Sequence, residues 1–166
     1  MFLDLALFSW LNSWGEKFSS ETLFLAVYLA HVLVGLFFIF LMRQRGRWRI
    51  FLEAIFATLV ARGILTPLIR YFYHRPRPFL DHQAFQLFSE NSYSFPSGHA
   101  TFFFALATIV WFYDKGWGTV FYFLTTLMVV ARVMAGVHYP SDIVGGAIIG
   151  MAVGLGVFHL SRRQLK

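Results

Sequence analysis

The chain has 166 residues, of which 58% belong to the hydrophobic set and only 13% are charged. Soluble domains are about half apolar and about a quarter charged, so this composition excludes an ordinary soluble protein and predicts one membrane-embedded domain over residues 1–166. The formal net charge of +6 suits nucleic acid, an anionic membrane surface or an anionic substrate, and the positions of the charges must decide. Cysteine is absent, so the fold has neither a disulfide nor a thiolate metal site.

The first 20 residues predict an amphipathic helix that lies in the membrane interface. One helical face carries Leu3, Leu7, Trp10, Leu11 and Trp14. The largely opposite face carries Asp4, Asn12, Ser13 and Glu16. The segment lacks the basic start and the small-residue cleavage site of a signal peptide, so we expect it to be retained.

Five apolar segments then predict five membrane-spanning helices, at about residues 22–42, 50–69, 97–113, 117–135 and 142–160. The fold class is therefore all-α: a polytopic membrane helix bundle of five spans plus the N-terminal interfacial helix. Arg62 interrupts the second span, where it either pairs inside the bundle, snorkels outward or serves a function. It is left out of the predicted site.

Glycines at four-residue spacing mark one face of the last span. They are Gly146, Gly150 and Gly154. Such a stripe has no side chains and lets a neighbouring helix approach closely, so we interpret it as a packing surface; the alternative is a substrate groove.

Basic residues predict the orientation of the bundle. Three basic segments fall on the same side after alternating crossings: the run from Arg43 to Arg49, Lys115 in the turn between the third and fourth spans, and the tail with Arg162, Arg163 and Lys166. The positive-inside rule makes this side cytoplasmic. The N-terminus and the loops 70–96 and 136–141 then share the outer face.

The first outer loop carries a cluster of arginines. Arg70, Arg75 and Arg77 are interleaved with His74 and with prolines that stop the preceding helix. Guanidinium groups stay charged and match phosphate oxygens with paired donors, so the cluster favours an anion. The alternative is that these arginines only anchor a helix end to lipid headgroups.

The second polar cluster is Pro96 to His99, directly before the third span. Ser97 is a suitable N-cap, and Gly98 lets an anion approach the backbone. Free N–H groups at a helix N-terminus bind phosphate, and the adjacent His99 can exchange a proton near neutral pH. The alternative is an ordinary capped helix with an interfacial histidine.

The third polar cluster is Arg132, His138 and Asp142, around the turn between the last two spans. Pro140 suits a first helical position and leaves Asp142 in the first turn. From there the carboxylate can reach back to the His138 ring, fix its proton on one nitrogen and leave the other free to attack. A surface histidine paired with a helix-start aspartate is the alternative, but all three clusters share the predicted outer face.

Together the three clusters resemble the signature of the type 2 phosphatidic acid phosphatase (PAP2) superfamily. In that pattern a basic residue lies seven positions before Arg-Pro, and Pro-Ser-Gly-His and Ser-Arg-(five residues)-His-(three residues)-Asp follow; the spacings in this chain are the same. Arg70 stands where the family usually has lysine, and Ala131 where it usually has serine. We expect phosphate binding to survive both changes.

The resemblance implies a mechanism. His138 would attack phosphorus and form a phosphohistidine, Asp142 would orient it, and His99 would protonate the leaving oxygen and later help to activate water. The residues implied in holding the phosphoryl oxygens are Arg70, Arg77, Arg132, Ser97 and the N–H of Gly98. No metal and no other cofactor is implied, because arginines supply the positive charge.

The remaining ionisable residues receive no catalytic role. His31 and His159 lie on apolar helices and are interpreted as packing residues, and Asp81, His82 and Glu90 as solvated loop residues.

The resemblance implies a lipid phosphate or diphosphate as substrate, with undecaprenyl pyrophosphate favoured, in a bacterial inner membrane with the site facing outward. Phosphatidylglycerophosphate, phosphatidic acid or lipid A phosphatase and lipid phosphotransferase are the enzymatic alternatives. A small transporter or scaffold is the non-enzymatic one. The partners predicted are the lipid substrate and membrane lipids, without nucleic acid, and no oligomeric state is predicted. The haloperoxidases that share the histidines and arginines are soluble, which the apolar spans argue against.

Overall fold

The computed structural model describes residues 2–163, which form seven helices and no β-strand. The helices are α1 Phe2–Lys17, α2 Ser19–Met42, α3 Arg47–Phe72, α4 Pro78–Asp81, α5 Gly98–Tyr113, α6 Lys115–Met134 and α7 Pro140–Arg163. The prediction of an all-α bundle with an N-terminal helix is confirmed, and α2, α3, α5, α6 and α7 occupy the five apolar segments that were predicted as spans. Lys166, assigned to the cytoplasmic tail, lies outside the described residues.

Four of these helices, α2, α3, α6 and α7, are long and apolar enough to cross a membrane. Helix α5 has 16 residues and is therefore about 24 Å long, less than the roughly 30 Å of a hydrocarbon core. At its N-terminus, Ser97 and Gly98 are buried inside the bundle.

Helix α5 is the centre of the packing. It contacts α3, α6 and α7, and most of its side chains from Ala100 to Val110 are buried. The glycine stripe of α7 faces it: a Cβ added at Gly150 would lie 2.6 Å from the carbonyl oxygen of Thr101. The stripe is therefore a packing surface, as expected, and α5 fills the space that a groove would need.

The two ends of the bundle differ in composition. At one end the basic turn before α3, the α5–α6 turn and the end of α7 meet, where Glu53 accepts hydrogen bonds from Arg49 at 2.8 Å, Tyr113 at 2.8 Å and Ser161 at 2.6 Å. At the other end lie α1 and the loops 73–77, 82–97 and 135–139.

Helix α1 crosses the loop end of the bundle and packs on α6. Asn12 is only 6% exposed, and its amide donates to the carbonyl oxygens of Phe85 at 2.8 Å and Met134 at 2.9 Å. Leu3, Leu7, Trp10 and Trp14 are exposed. These four residues of the predicted apolar face point outward, but Leu11 packs inward against the cluster of Phe8, Val133 and Tyr139. The polar Asn12 also faces the protein, because it satisfies loop carbonyls.

Candidate active site

The turn between α6 and α7 positions His138. Gly136 adopts a left-handed conformation with φ of 79°, and a Cβ at this residue would lie 2.1 Å from the carbonyl oxygen of Phe85. Only glycine fits both conditions. The tight turn directs His138 inward, where the side chain is almost completely buried.

The His138 ring lies between a carboxylate and a guanidinium. Nδ1 is 3.4 Å from Oδ2 of Asp142, and Nε2 is 3.5 Å from Nη1 of Arg77. Burial lowers the pKa of His138 to about 4, and the charges of Arg132 and Arg77 contribute, although Asp142 opposes them. The imidazole is therefore neutral at neutral pH. A proton on Nδ1, facing Asp142, leaves the Nε2 lone pair available as a nucleophile.

Asp142 is fixed by several donors in the first turn of α7. Its Oδ2 accepts from the backbone N–H of Tyr139 at 2.8 Å and from the hydroxyl of Ser94. Its Oδ1 accepts from Nη1 of Arg75 at 2.7 Å. The carboxylate is fully buried, and these bonds compensate for its desolvation.

Two buried arginines converge on Glu90. Arg77 donates to the carbonyl oxygens of Val137 and Ser92, each at 2.6 Å, and to Oε2 of Glu90 at 3.2 Å. Arg132 donates to Oε1 of Glu90 and lies only 2% exposed. Although burial raises the pKa of Glu90, the charges of Arg132 and Arg77 outweigh it and leave the pKa below its ordinary value. The prediction of Glu90 as a solvated loop residue is wrong, because two buried guanidinium groups need an anion.

Arg70 joins this cluster through Ser92. The hydroxyl of Ser92 accepts from Nη1 of Arg70 and from Nη2 of Arg77, both at 3.0 Å, and Arg70 also donates to the carbonyl oxygen of Pro96 at 2.9 Å. Among residues 2–163, the buried Nε atoms of Arg70 and Arg132 have no hydrogen-bond partner. Unpaired buried donors are costly, so this region has spare capacity for an anion.

The start of α5 lies beside the arginines. The hydroxyl of Ser97 accepts from the N–H of Ala100 at 3.5 Å, and the Ser97 N–H donates to the carbonyl oxygen of Asp142 at 3.0 Å, which ties α5 to α7. His99 stacks on Phe103, with ring centroids 6.4 Å apart. Gly98 and His99 line a cavity of about 480 Å³ together with Glu90 and Arg132.

A second, larger cavity of about 1010 Å³ is lined by Arg70 and Arg77. We call it the arginine cavity, and the 480 Å³ one, whose other walls include Val27, Val34 and Phe102, the apolar cavity. Glu90 and Arg62 line both cavities. His138 lines neither cavity; Arg77, which bonds to Glu90, lies 3.5 Å from its Nε2.

Two arginines outside the predicted set belong to this site. Arg62 lies against the start of α5, since a Cβ at Gly98 would be 1.4 Å from its Nη1. Arg75 joins Oδ1 of Asp142 to Oδ2 of Asp4 on α1, both at 2.7 Å. The only sequence signals were an ionisable residue inside a span and a position within the first cluster. The contact with Asp4 joins residues too far apart in the chain to be read from a motif.

All eight predicted site residues lie at the loop end of the bundle. One chain of contacts runs from Asp142 through His138, Arg77 and Glu90 to Arg132. Arg70 joins this chain through Ser92, and the backbone of Ser97 is hydrogen-bonded to Asp142. Gly98 and His99 line a cavity together with Arg132. Ala131 packs with Ala26 and Ala135 in a small apolar cluster. Within the described part of the chain, no group of three or more His, Cys, Asp or Glu side chains is arranged to hold a metal ion. The catalytic and binding roles of these residues stay predictions.

Comparison with solved structures shows the fold of a membrane phosphatase. The chain superposes on Aquifex aeolicus LpxE with a TM-score of 0.76 and 26% sequence identity, covering 95% of each chain. A transmembrane PAP2-type phosphatidylglycerolphosphate phosphatase from Bacillus subtilis shares the fold with a TM-score of 0.56 at 18% identity, covering 98% of this chain and 96% of that one. Together with the apolar helices, these neighbours show an integral membrane protein.

Sequence relatives give the same family. The bacitracin transport permease protein BcrC of Bacillus licheniformis is 29% identical over 94% of this chain and 79% of its own length. The undecaprenyl-diphosphatase BcrC of Bacillus subtilis is 32% identical over 63% of this chain, which spans 54% of that relative. A lipid A 1-phosphatase of Rhizobium johnstonii is 37% identical over 58% of this chain and 42% of the relative. A family model of the PAP2 superfamily matches residues 51–166, and the chain therefore belongs to the PAP2 superfamily.

Proposed function

We propose that this protein hydrolyses undecaprenyl diphosphate to undecaprenyl phosphate and inorganic phosphate at the outer face of a bacterial inner membrane. As a PAP2 member with lipid phosphatases among its relatives, it is a membrane enzyme that acts on lipid phosphates. The observation that supports the chemistry best is the position of Nε2 of His138, which faces Arg77 at 3.5 Å while Nδ1 faces Asp142 at 3.4 Å.

Phosphate binding would begin by displacing Glu90. A phosphoryl group offers oxygens to the same N–H donors of Arg77 and Arg132 that the Glu90 carboxylate occupies. It also offers acceptors to the unpartnered Nε atoms of Arg70 and Arg132. Once Glu90 has moved, phosphorus faces Nε2 of His138.

In the first chemical step, the Nε2 lone pair of His138 forms a bond to the terminal phosphorus and the bond to the leaving oxygen breaks. His99 donates a proton to that oxygen, so the leaving group does not have to carry a negative charge on it. Asp142 holds the Nδ1 proton of the imidazole and stabilises the positive charge that the ring acquires. The arginines stabilise the charge on the equatorial oxygens.

In the second step, His99 takes a proton from water as the water oxygen attacks phosphorus. The N–P bond breaks, and the electron pair returns to Nε2 of His138. Inorganic phosphate leaves, and Glu90 can return to Arg77 and Arg132. The cycle needs no redox partner, and we propose that it needs no metal, because guanidinium groups supply the positive charge. Full activity in EDTA is expected; loss in EDTA with rescue by Mg²⁺ would contradict this.

The substrate proposal has a direct test. Detergent-purified protein is assayed for phosphate release from undecaprenyl diphosphate, phosphatidylglycerophosphate, phosphatidic acid and lipid A, with the His138→Ala variant beside it. We expect the highest kcat/KM with undecaprenyl diphosphate. Equal turnover of all four lipids would overturn the specific assignment, and activity in the variant would overturn the mechanism.

Two relatives favour alternative functions for this protein. The lipid A 1-phosphatase of Rhizobium johnstonii is the more identical over the matched region, so preferred release from lipid A would replace the proposal. The name of the Bacillus licheniformis relative describes transport. If the protein were a transporter, cells that carry the His138→Ala variant would keep bacitracin resistance. If it is a phosphatase, the same variant would confer no resistance.

The outward orientation can be tested on the cysteine-free chain. Tyr93 is 45% exposed in the loop at the site, and Arg45 is exposed in the basic turn at the other end. In intact spheroplasts a membrane-impermeant maleimide should label a Tyr93→Cys variant and spare an Arg45→Cys variant. Labelling of only the latter would place the site in the cytoplasm.

A further inference from the structure

Arg62 is a cation inside a membrane-spanning helix. It lies in the π-helical segment Leu59–Leu65 of α3, eight positions before Arg70 and so about 12 Å deeper along the helix axis. Ionisable side chains at such depth usually face a cavity or a partner and serve a function. Single π-helical turns within α-helices also occur frequently at functional sites.

Arg62 differs from its neighbours in having no partner. Arg70, Arg77 and Arg132 each donate to protein oxygens. Among residues 2–163, the Arg62 guanidinium forms neither a hydrogen bond nor an ion pair, and the side chain is exposed. A guanidinium at this depth that lacks a protein partner and faces two cavities is placed to bind an anion from outside the protein.

The location of Arg62 indicates which anion. The side chain lines both the arginine cavity and the apolar cavity. It lies in the space left by the missing side chain of Gly98, beside His99. Burial lowers the pKa of Arg77, and the charge of Arg62 lowers it further although Glu90 and Asp142 oppose this. Arg62 therefore lies where the terminal phosphate site meets the apolar cavity.

We propose that Arg62 binds the lipid-linked phosphate of a diphosphate substrate, while Arg70, Arg77 and Arg132 hold the terminal phosphate. The isoprenoid or acyl chain then follows the apolar cavity between α2 and α5, along Val34 and Phe102. This inference rests on the proposed diphosphatase function and makes Arg62 a specificity-determining residue.

The chemistry explains why Arg62 would distinguish substrates. When Nε2 of His138 attacks the terminal phosphorus of a diphosphate, the bond to the bridging oxygen breaks and the leaving group is the lipid phosphate. Arg62 contacts the oxygens of this leaving phosphate before and after the bond breaks. A lipid monophosphate has an alcohol as its leaving group and places no anion beside Arg62.

The test compares a polyprenyl diphosphate and a polyprenyl monophosphate with the same chain. In the Arg62→Met variant, kcat/KM for the diphosphate should fall roughly ten- to a hundredfold while that for the monophosphate changes less than about threefold. Arg62→Lys, which keeps the charge without the paired donors, should recover part of the loss. Arg45→Met, at the other end of the bundle, is the matched control and should leave both values unchanged.

Each other result overturns the inference. An equal loss on both lipids would make Arg62 a general contributor to folding or to phosphoryl transfer. No loss on either lipid would show that Arg62 does not bind substrate.

An inhibitor measurement separates this inference from the proposed substrate. Methylenediphosphonate carries two phosphorus centres that cannot be hydrolysed apart, and methylphosphonate carries one. With any lipid phosphate that the enzyme turns over, Arg62→Lys and Arg62→Met should raise the inhibition constant of the diphosphonate and leave that of the monophosphonate unchanged. If undecaprenyl diphosphate is not hydrolysed but the two variants raise the inhibition constant of the diphosphonate alone, only the substrate proposal fails. If the two inhibition constants rise together, the role of Arg62 fails.

Discussion

The two ends of the helix bundle both bury charged side chains, but their charges are balanced differently. At the end with the basic turns, Glu53 accepts from Arg49, Tyr113 and Ser161, so its carboxylate is fully hydrogen-bonded. At the loop end five guanidinium groups face three carboxylates. These groups are Arg62, Arg70, Arg75, Arg77 and Arg132 against Asp4, Glu90 and Asp142.

The difference separates a structural cluster from a binding site. A buried cluster whose donors and acceptors match holds helices together, because a new ligand would break existing bonds there and gain no unpaired donor. A buried cluster with surplus cations and unpaired donors is stabilised when an anion enters. The loop end therefore has the electrostatics of a phosphate site, and the opposite end fastens α3, α5 and α7.

The largest effect should come from the nucleophile. His138→Ala removes Nε2 and should lower kcat by about 10⁴-fold or more, because no other group can form the covalent intermediate. The labelled phosphate that stays bound to the parent protein after an alkaline quench should be absent from this variant. The matched control is His159→Ala at the opposite end, which should retain both activity and labelling; retention of label by His138→Ala would assign the nucleophile elsewhere.

A smaller effect should come from Arg75, which acts through Asp142. Arg75 donates to Asp142 and Asp4 and stacks on Tyr139 with its guanidinium carbon 4.1 Å from the ring centroid. Arg75→Met frees the Asp142 carboxylate to rotate away from His138, so kcat should fall roughly ten- to a hundredfold with KM little changed.

Asp4→Asn tests the same connection from α1. This variant weakens the hold on Arg75 without touching Asp142, so it should lower kcat less than Arg75→Met does. A rise in KM with constant kcat in either variant would indicate that Arg75 binds substrate directly.

Glu90 should have a smaller effect of opposite sign. Because its carboxylate occupies the donors of Arg77 and Arg132, Glu90→Gln should increase the surplus of positive charge and lower the inhibition constant of inorganic phosphate roughly three- to tenfold. Glu16→Gln on the exposed side of α1 is the matched control. An unchanged or higher inhibition constant would mean that Glu90 organises the arginines instead of competing with phosphate.

The sequence predicted the helices well because the apolar segments are bounded by charges or prolines and all but the third are long. It also placed His138, Asp142 and the start of α5 at one end, since motif spacing and loop alternation are local or topological properties. Glu90 and Asp4 could not be predicted in this way. Their roles depend on contacts with Arg132 and Arg75 that join distant parts of the chain, and a lone carboxylate in a polar loop usually remains solvated.

Arg62 shows a different limit of the sequence. Its position in a span indicated an unusual residue, but whether it snorkels, pairs or lines a cavity depends on the rotation of α3. That rotation is set by packing of Ala57 and Ala61, both buried, against the rest of the bundle. The glycine at residue 98 then leaves the space that the guanidinium occupies.

The smallest effect on turnover should come from the balanced end. Glu53→Gln removes the charge paired with Arg49 and weakens the bonds from Tyr113 and Ser161, so the melting temperature should fall roughly 2–10 °C. Below that temperature kcat/KM should stay within about twofold of the parent value, because the site lies at the opposite end of α5. Thermal unfolding and phosphate release on the same detergent sample check both expectations. A large loss of activity in a folded Glu53→Gln variant would show that the two ends are coupled, and the separation of structural and binding charges would then be wrong.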